Sequence, residues 1–221
     1  MEIKPVAKIY TAFKEKFGIP RQSGRGKNLY GKIVFEPEYN NPDAIRGIEG
    51  FSHLWLIFDF SLNHREGFSP TVRPPRLGGN TRVGVFASRS PFRPNNLGLS
   101  SVKLIKVEKT ADGEVLVVEG VDILDGTPIY DIKPYLPSDC HVDAIGGYAD
   151  TSHKLSVTID SLLAKKIDNE LLNAIVSCIE DDPRPSYQDD KERIYTMRFD
   201  KYDVSFKVFE FTAQIIEIKE L

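Results

Sequence analysis

Three aspartates, Asp122, Asp125 and Asp131, stand in the stretch VDILDGTPIYDIKPYLP (Val121 to Pro137) beside the apolar Ile123, Leu124, Ile129 and Ile132. Carboxylates placed among such side chains can accept hydrogen bonds from the amine, hydroxyl or cationic groups of a ligand. Asp125-Gly126-Thr127-Pro128 also reads as a turn between two strand-like pieces, in which Asp125 would cap the turn through its side chain. Spacing alone leaves both roles open. A second cluster, Asp181-Asp182-Pro183-Arg184-Pro185-Ser186-Tyr187, brings carboxylates, a guanidinium and an aromatic ring together directly after a helical pattern, and Pro183 forbids the helix to continue.

The third chemical feature is a charge segregation. Gly67 to Val107 contains no Asp or Glu but carries Arg73, Arg76, Arg82, Arg89, Arg93, Lys103 and Lys106, so a chain of net charge −3 contains a segment of +7. Pro and Gly punctuate the same stretch and fix irregular backbone from which the arginines project. Arg pairs bidentately with phosphate or carboxylate and reads base edges. The segment therefore points to an anionic partner, although a basic face paired with the acidic remainder of the fold would look the same. Arg73, Arg76, Arg82, Arg93 and Arg184 are the candidates for phosphate contact.

Other chemistries lack their signatures. There is no GxGxxG after a strand and no GxxxxGK[ST], which removes the usual dinucleotide and phosphate loops. Ser88 and Ser90 lie in ASRSP rather than in a GxSxG elbow. His53, His64, His141 and His153 show no metal spacing, and Cys140 and Cys178 read as reduced structural thiols, so no metal is expected. The longest apolar run, His53 to Phe60, is too short to span a bilayer and includes Asp59. With no signal-peptide pattern at the N-terminus, a cytoplasmic location is expected.

The elements that must position these residues are mainly strands. Lys4 to Thr11, Leu29 to Phe35, His53 to Phe60, Arg82 to Ala87, Ser100 to Val107 and Val115 to Val121 are rich in β-branched, aromatic or leucine residues, with turn residues bounding most of them. Six such runs predict a closed or partly closed barrel. Residues 138–152 read as a polar linker. Beyond it, Lys154 to Ile159, Tyr195 to Phe199, Val204 to Phe209 and Thr212 to Ile218 read as strands. Ile167, Leu171, Leu172, Ile175, Val176 and Ile179 recur at helical spacing. The expected organisation is a mainly β protein: a β-barrel domain over 1–137, the linker over 138–152, and a small α+β domain over 153–221.

Five blocks carry a family resemblance: EKFGIPRQS (Glu15 to Ser23), IRGIEGFSHLWLIFDF (Ile45 to Phe60), PTVRPPRLGGNTRVGVFASRSPFRPNNLGLSSVKL (Pro70 to Leu104), DGTPIYDIKPYLP (Asp125 to Pro137) and DPRPSY (Asp182 to Tyr187). Together they are similar to the bacterial tRNA adenosine N6-methyltransferase family, YaeB-like or TrmO-type. The resemblance implies a homodimeric, S-adenosylmethionine-dependent enzyme with a β-barrel cofactor domain. It implies methylation of N6 of threonylcarbamoyl-adenosine beside the anticodon, at position 37 of a threonine tRNA. Carried over by motif, cofactor contacts fall on Arg21, Gln22, Ser23, Ser61, Leu62, Arg89, Leu99, Asp122, Ile123, Leu124 and Asp125. Ser61 and Leu62 depart from the family pattern, which places a His near the end of that strand, so contact there would pass through backbone. Asp182 would accept a hydrogen bond from the adenine amine and Tyr187 would stack on the base. Two other readings explain part of the pattern: a non-catalytic RNA-binding barrel, and a small-molecule methyltransferase using the same cofactor slot.

Overall fold

A computed structural model describes residues 2–111, 113–149, 154–185, 188 and 190–221. In chain order the strands of the first part are β1 (Ala7–Thr11), β2 (Tyr30–Phe35), β3 (His53–Asp59), β4 (Thr71–Val72), β5 (Val83–Gly84), β6 (Leu97–Thr110), β7 (Gly113–Glu119) and β8 (Thr127–Pro134). Six of them close into an antiparallel barrel in the order β1-β2-β7-β6-β3-β8, with β8 returning to β1. Alternation dictates which side chains fill it. In β1, Ala7, Ile9 and Thr11 are buried while Lys8 and Tyr10 face out, and in β3 Leu54, Leu56 and Phe58 point inward. Closure leaves no unpaired edge to template aggregation.

Two expected elements differ from their sequence reading. Arg82 to Ala87 does not supply a barrel strand. Only Val83–Gly84 pairs, with Thr71–Val72, and the chain then tightens into a 3₁₀ turn at Val85–Ala87. The sixth barrel strand is instead β8, which takes in Thr127 and Pro128 of the expected turn and the strand-like piece after it. Its Thr127 and Ile129 are buried in alternation, and Pro128 is accommodated next to β1 at the strand's start.

The second part holds β9 (Ser156–Ile159), a single helical turn α1 (Ser161–Ala164), α2 (Asn169–Glu180), β10 (Tyr195–Phe199), β11 (Tyr202–Phe209) and β12 (Thr212–Glu220). The sheet order is β10-β11-β12-β9, with β9 parallel to β12. Asp168 caps α2 by accepting from the backbone N–H groups of Glu170 and Leu171, at 2.8 and 3.3 Å. Ala174, Ile175, Cys178 and Ile179 form its buried stripe. Of the six residues at helical spacing in the sequence, Ile175 and Ile179 lie in that stripe, Leu171, Leu172 and Val176 are partly buried against the core, and Ile167 precedes the helix.

One buried apolar cluster runs through both parts. Residues 12–29 form the seam. Phe13 meets Phe199 edge to face at 5.4 Å, and Phe17 packs beside the stacked pair of Tyr195 and Phe206, 6.3 Å from each. The backbone joins here as well, since the Asp200 N–H donates to the Ala12 carbonyl at 2.7 Å. In the span expected as a linker, Asp139 accepts from the Trp55 indole N–H at 2.8 Å, and the Tyr148 hydroxyl donates to the Ala87 carbonyl at 3.2 Å. Residues 150–152 of that span lie outside the described residues.

Candidate functional site

The end of β3, the start of β6 and the segment after β7 meet residues 19–22 of the seam around a cavity of about 540 Å³. That is the size range of small-ligand sites. A register shift between Ile57 and Phe58 re-aims the end of β3 toward it. Gly98 permits the close approach on the opposite strand, because a Cβ there would fall 2.3 Å from the Phe58 ring.

Arg21, Gln22, Ser61, Leu62, Arg89, Leu99, Asp122, Ile123 and Leu124 all line this cavity. The structure thus brings together nine of the eleven residues singled out for cofactor contact. Ser23 stands behind it, with its backbone N–H directed to the Asp122 carboxylate. Asp125 does not line it. Its two oxygens accept from the Thr11 N–H and the Lys14 ammonium, both at 2.8 Å, which makes it a lock between β1 and the turn before β8. Ser100 is a lining residue that the sequence reading passed over; it faces inward on β6, and its hydroxyl reaches the Asp122 carboxylate. Inward alternation from Gly98 to Val102 was the available signal.

Asp122 dominates the electrostatics of the cavity. Its Oδ1 is buried with no hydrogen-bond partner. Burial pushes its pKa up to about 6, even though Ser100, the N–H groups of Ser23 and Asp122 itself and the Arg89 charge all favour the ionised form. A buried acceptor left unsatisfied costs on the order of 1–3 kcal/mol, so the site is primed for a ligand that donates to it.

Residues 182–185 meet the cavity wall through Arg21. Its guanidinium donates to the carbonyls of Asp182 and Arg184 at 3.2 and 2.8 Å. Burial and the charge of Arg76 lower the Arg21 pKa, while Asp181 and Asp182 raise it. Arg89 donates to Gln22 Oε1, and Gln22 Nε2 donates to the Arg21 carbonyl at 2.7 Å, so a polar chain links the cavity to the loop. Behind it, Arg25 pairs with the buried Asp181 at 2.5 Å. Asp182 adopts a left-handed backbone (φ 49°), and its carboxylate receives the Arg184 fork at 2.7 and 2.9 Å. Arg184 is therefore turned onto its own loop. Tyr187 lies outside the described residues.

A larger groove of about 1240 Å³ adjoins the cavity and shares Arg21, Gln22, Ser88, Arg89 and Pro91 with it. Arg73, Arg76 and Arg82 line this groove together with Arg25 and Arg65, and among the described residues no Asp or Glu does. Arg93 does not face the groove. It lines the cavity and donates to the Val85 and Ser88 carbonyls at 3.2 and 2.8 Å, bracing the loop. Lys103 and Lys106, the remaining cations of the acid-free segment, stand near Glu119 and Glu108, each at 3.7 Å. No helix among the described residues is long and apolar enough to cross a membrane.

A closed barrel whose ligand-sized cavity holds a carboxylate oxygen without a partner, opening onto an arginine-lined groove, defines a class of protein with a hydrogen-bond acceptor set beside a cationic surface. Residues 8–140 match the model of the tRNA-methyltransferase O N-terminal domain and residues 152–221 that of the TrmO C-terminal domain. The chain belongs to the TrmO family. It is 36% identical over 231 residues to the tRNA (adenine(37)-N6)-methyltransferase of Escherichia coli K12, covering 99% of this chain and 97% of that one. The protein of the same name from Eikenella corrodens is 48% identical over 163 residues, covering 72% and 91%. Among solved structures, TrmO from Pseudomonas aeruginosa superposes with a TM-score of 0.81 at 29% identity, covering 100% of this chain and 97% of that one.

Proposed function

We propose that this protein is an S-adenosylmethionine-dependent tRNA methyltransferase that modifies N6 of the adenine at position 37, beside the anticodon. The observation that carries the reading is the junction of the two concavities. A small ligand in the carboxylate-bearing cavity abuts a polyanion in the arginine groove across Arg21, Gln22 and Arg89. The relatives named for this activity, aligned along 99% and 72% of this chain, support it.

The cavity suits the cofactor. The orphaned Asp122 Oδ1 can accept from an ammonium or ribose hydroxyl, Arg89 and Arg21 can meet a carboxylate, and Phe60, Pro91 and Leu99 offer apolar surface to a purine. When bound, S-adenosylmethionine supplies an electrophilic methyl group on a sulfonium. The protein's own part is orientation, which contributes most to a displacement of this kind. The chain from Arg89 through Gln22 and Arg21 holds residues 182–185 at the cavity. Asp182 is assigned as acceptor of the amine hydrogen, since the Arg184 fork and backbone N–H take three of the roughly four lone-pair sites of its carboxylate and leave one on Oδ2. Tyr187 is assigned as the ring that stacks on the target base. Arg73, Arg76 and Arg82 contact phosphates, and unstacked loop bases are reachable without opening a duplex. We assign the substrate as threonylcarbamoyl-adenosine of a threonine tRNA, the assembly as a cytoplasmic homodimer, and the place of contact as the anticodon loop.

The test is methyl transfer from labelled S-adenosylmethionine to tRNA from cells with and without the threonylcarbamoyl modification. Label only in the modified pool is expected. Cofactor binding with no transfer to either pool would favour a small-molecule methyltransferase, and absence of cofactor binding would favour a plain RNA-binding barrel.

A further inference from the structure

Phe86 has a role that neither the cavity nor the arginines account for. It is the most exposed aromatic side chain among the described residues, at 73%, and it lines the arginine groove. The turn that carries it is tightly braced. Val85 is buried as its anchor and donates its N–H to the Pro70 carbonyl at 2.9 Å. The Ser88 hydroxyl and the Arg93 guanidinium both donate to the Val85 carbonyl, and the Tyr148 hydroxyl donates to that of Ala87. Phe68, also exposed, lies with its ring 6.4 Å from that of Phe86 and inclined by 30°, and Arg93 Cζ is 5.7 Å from the Phe86 centroid. The fold thus spends many hydrogen bonds to hold an apolar ring out in solvent. A ring presented this way loses little entropy when something stacks on it.

We infer that Phe86, flanked by Phe68, is a stacking platform for an unpaired RNA base neighbouring the one to be methylated; this rests on the tRNA reading above. A positively charged groove interleaved with exposed aromatics is the pattern of single-stranded nucleic-acid binding, because every base has a π-face whatever its sequence. The location sets which base. Ser88 and Arg89 line both groove and cavity, and three residues span at most about 11 Å of chain, so a base on Phe86 lies close to one at the cavity mouth. A second copy of this chain is disfavoured as the occupant. A two-fold contact with its axis at this patch would press one arginine groove against another.

The test uses an RNA stem-loop carrying 2-aminopurine in turn at each loop position beside the target adenine. Binding is followed with the full chain and with Phe86→Ala and Phe86→Trp. At one position the wild-type chain and Phe86→Trp quench the probe. Phe86→Ala loses the quench and binds about 10-fold more weakly, as expected for loss of one stacked base. Its salt dependence is unchanged because no phosphate contact is removed. Cofactor binding, equal in all three, shows that the variants are folded. Full affinity and quenching in Phe86→Ala, while wild-type chain binds the RNA, would overturn the platform. A fall in oligomeric state in Phe86→Ala would give the surface to a second copy instead, and overturn it too. If the wild-type chain binds no RNA, the tRNA reading itself fails and takes the platform with it.

Discussion

Arg25 and Arg82 carry the same guanidinium into opposite settings. Arg25 reaches the groove wall, yet it is paired with Asp181 of the seam, whose side chain is only 3% exposed, and Arg21 and Arg184 are likewise engaged by carbonyls and a carboxylate of residues 182–185. In the groove, Arg82 rests on the Thr71 hydroxyl at 2.9 Å, with no carboxylate among the described lining residues. Arginine in a sequence marks a strong donor, and only the presence or absence of a facing acid decides between holding the fold and holding a ligand. The cavity supplies the mirror image in Asp122, an acid without a paired base.

The largest effect should come from breaking the seam. Arg25→Ala leaves the buried Asp181 with, among the described residues, the Arg21 N–H at 3.3 Å as its remaining hydrogen-bond donor, and is expected to cost about 3 kcal/mol in chemical denaturation. Loss of much less than that would dissolve the distinction between the two sets of arginines. Next comes Asp122→Asn, which removes a charge-assisted acceptor worth about 1.5–3 kcal/mol and should weaken S-adenosylmethionine binding roughly 10- to 100-fold by calorimetry. Its pH dependence has a definite sign. With the pKa raised from 3.8 to about 6, the free protein retains the proton between those values, so this group's contribution to stability falls as pH rises through that window. Cofactor affinity, which needs the carboxylate, should rise from pH 5 to 7 and then level off. The Asn variant should show no such rise.

Smaller changes sharpen the groove side. Arg73→Ala combined with Arg82→Ala should leave the thermal midpoint unchanged and reduce the slope of log affinity for tRNA against log salt by about two, close to one per phosphate contact. The smallest effect is expected at Lys103→Ala. Its partner Glu119 is 3.7 Å away on the barrel's outer wall, so stability should move by less than about 1 kcal/mol and the salt slope not at all. A clear fall in that slope would extend the nucleic-acid surface beyond the groove.

Much of the barrel was legible because alternation survives in short strands: Ala7, Ile9 and Thr11, or Leu54, Leu56 and Phe58, announce their inward face directly. Arg82 to Ala87 misled because its apolar residues serve a braced turn. β8 was hidden because Asp125, Gly126 and Pro128 look like loop residues when the neighbouring strand is unknown. The same limit applies to the site. The motif residues around the cavity could be named from the sequence, yet the destiny of Arg184 and Arg93 could not, since each is decided by carbonyls and carboxylates met only after folding. Arg25 and Asp181 are 156 positions apart, and nothing local marks them as partners.

The seam also fixes an order of events during synthesis. Ribosomes deliver the amino-terminal part first, and all six barrel strands have emerged once Pro134 is made. The wall formed by residues 19–22 must wait longer, because Phe17 beside it packs on Tyr195 and Phe206, both translated well after Pro134. A nascent barrel can therefore close well before its cofactor cavity has a finished side, and maturation of the site is timed by the carboxyl-terminal sheet.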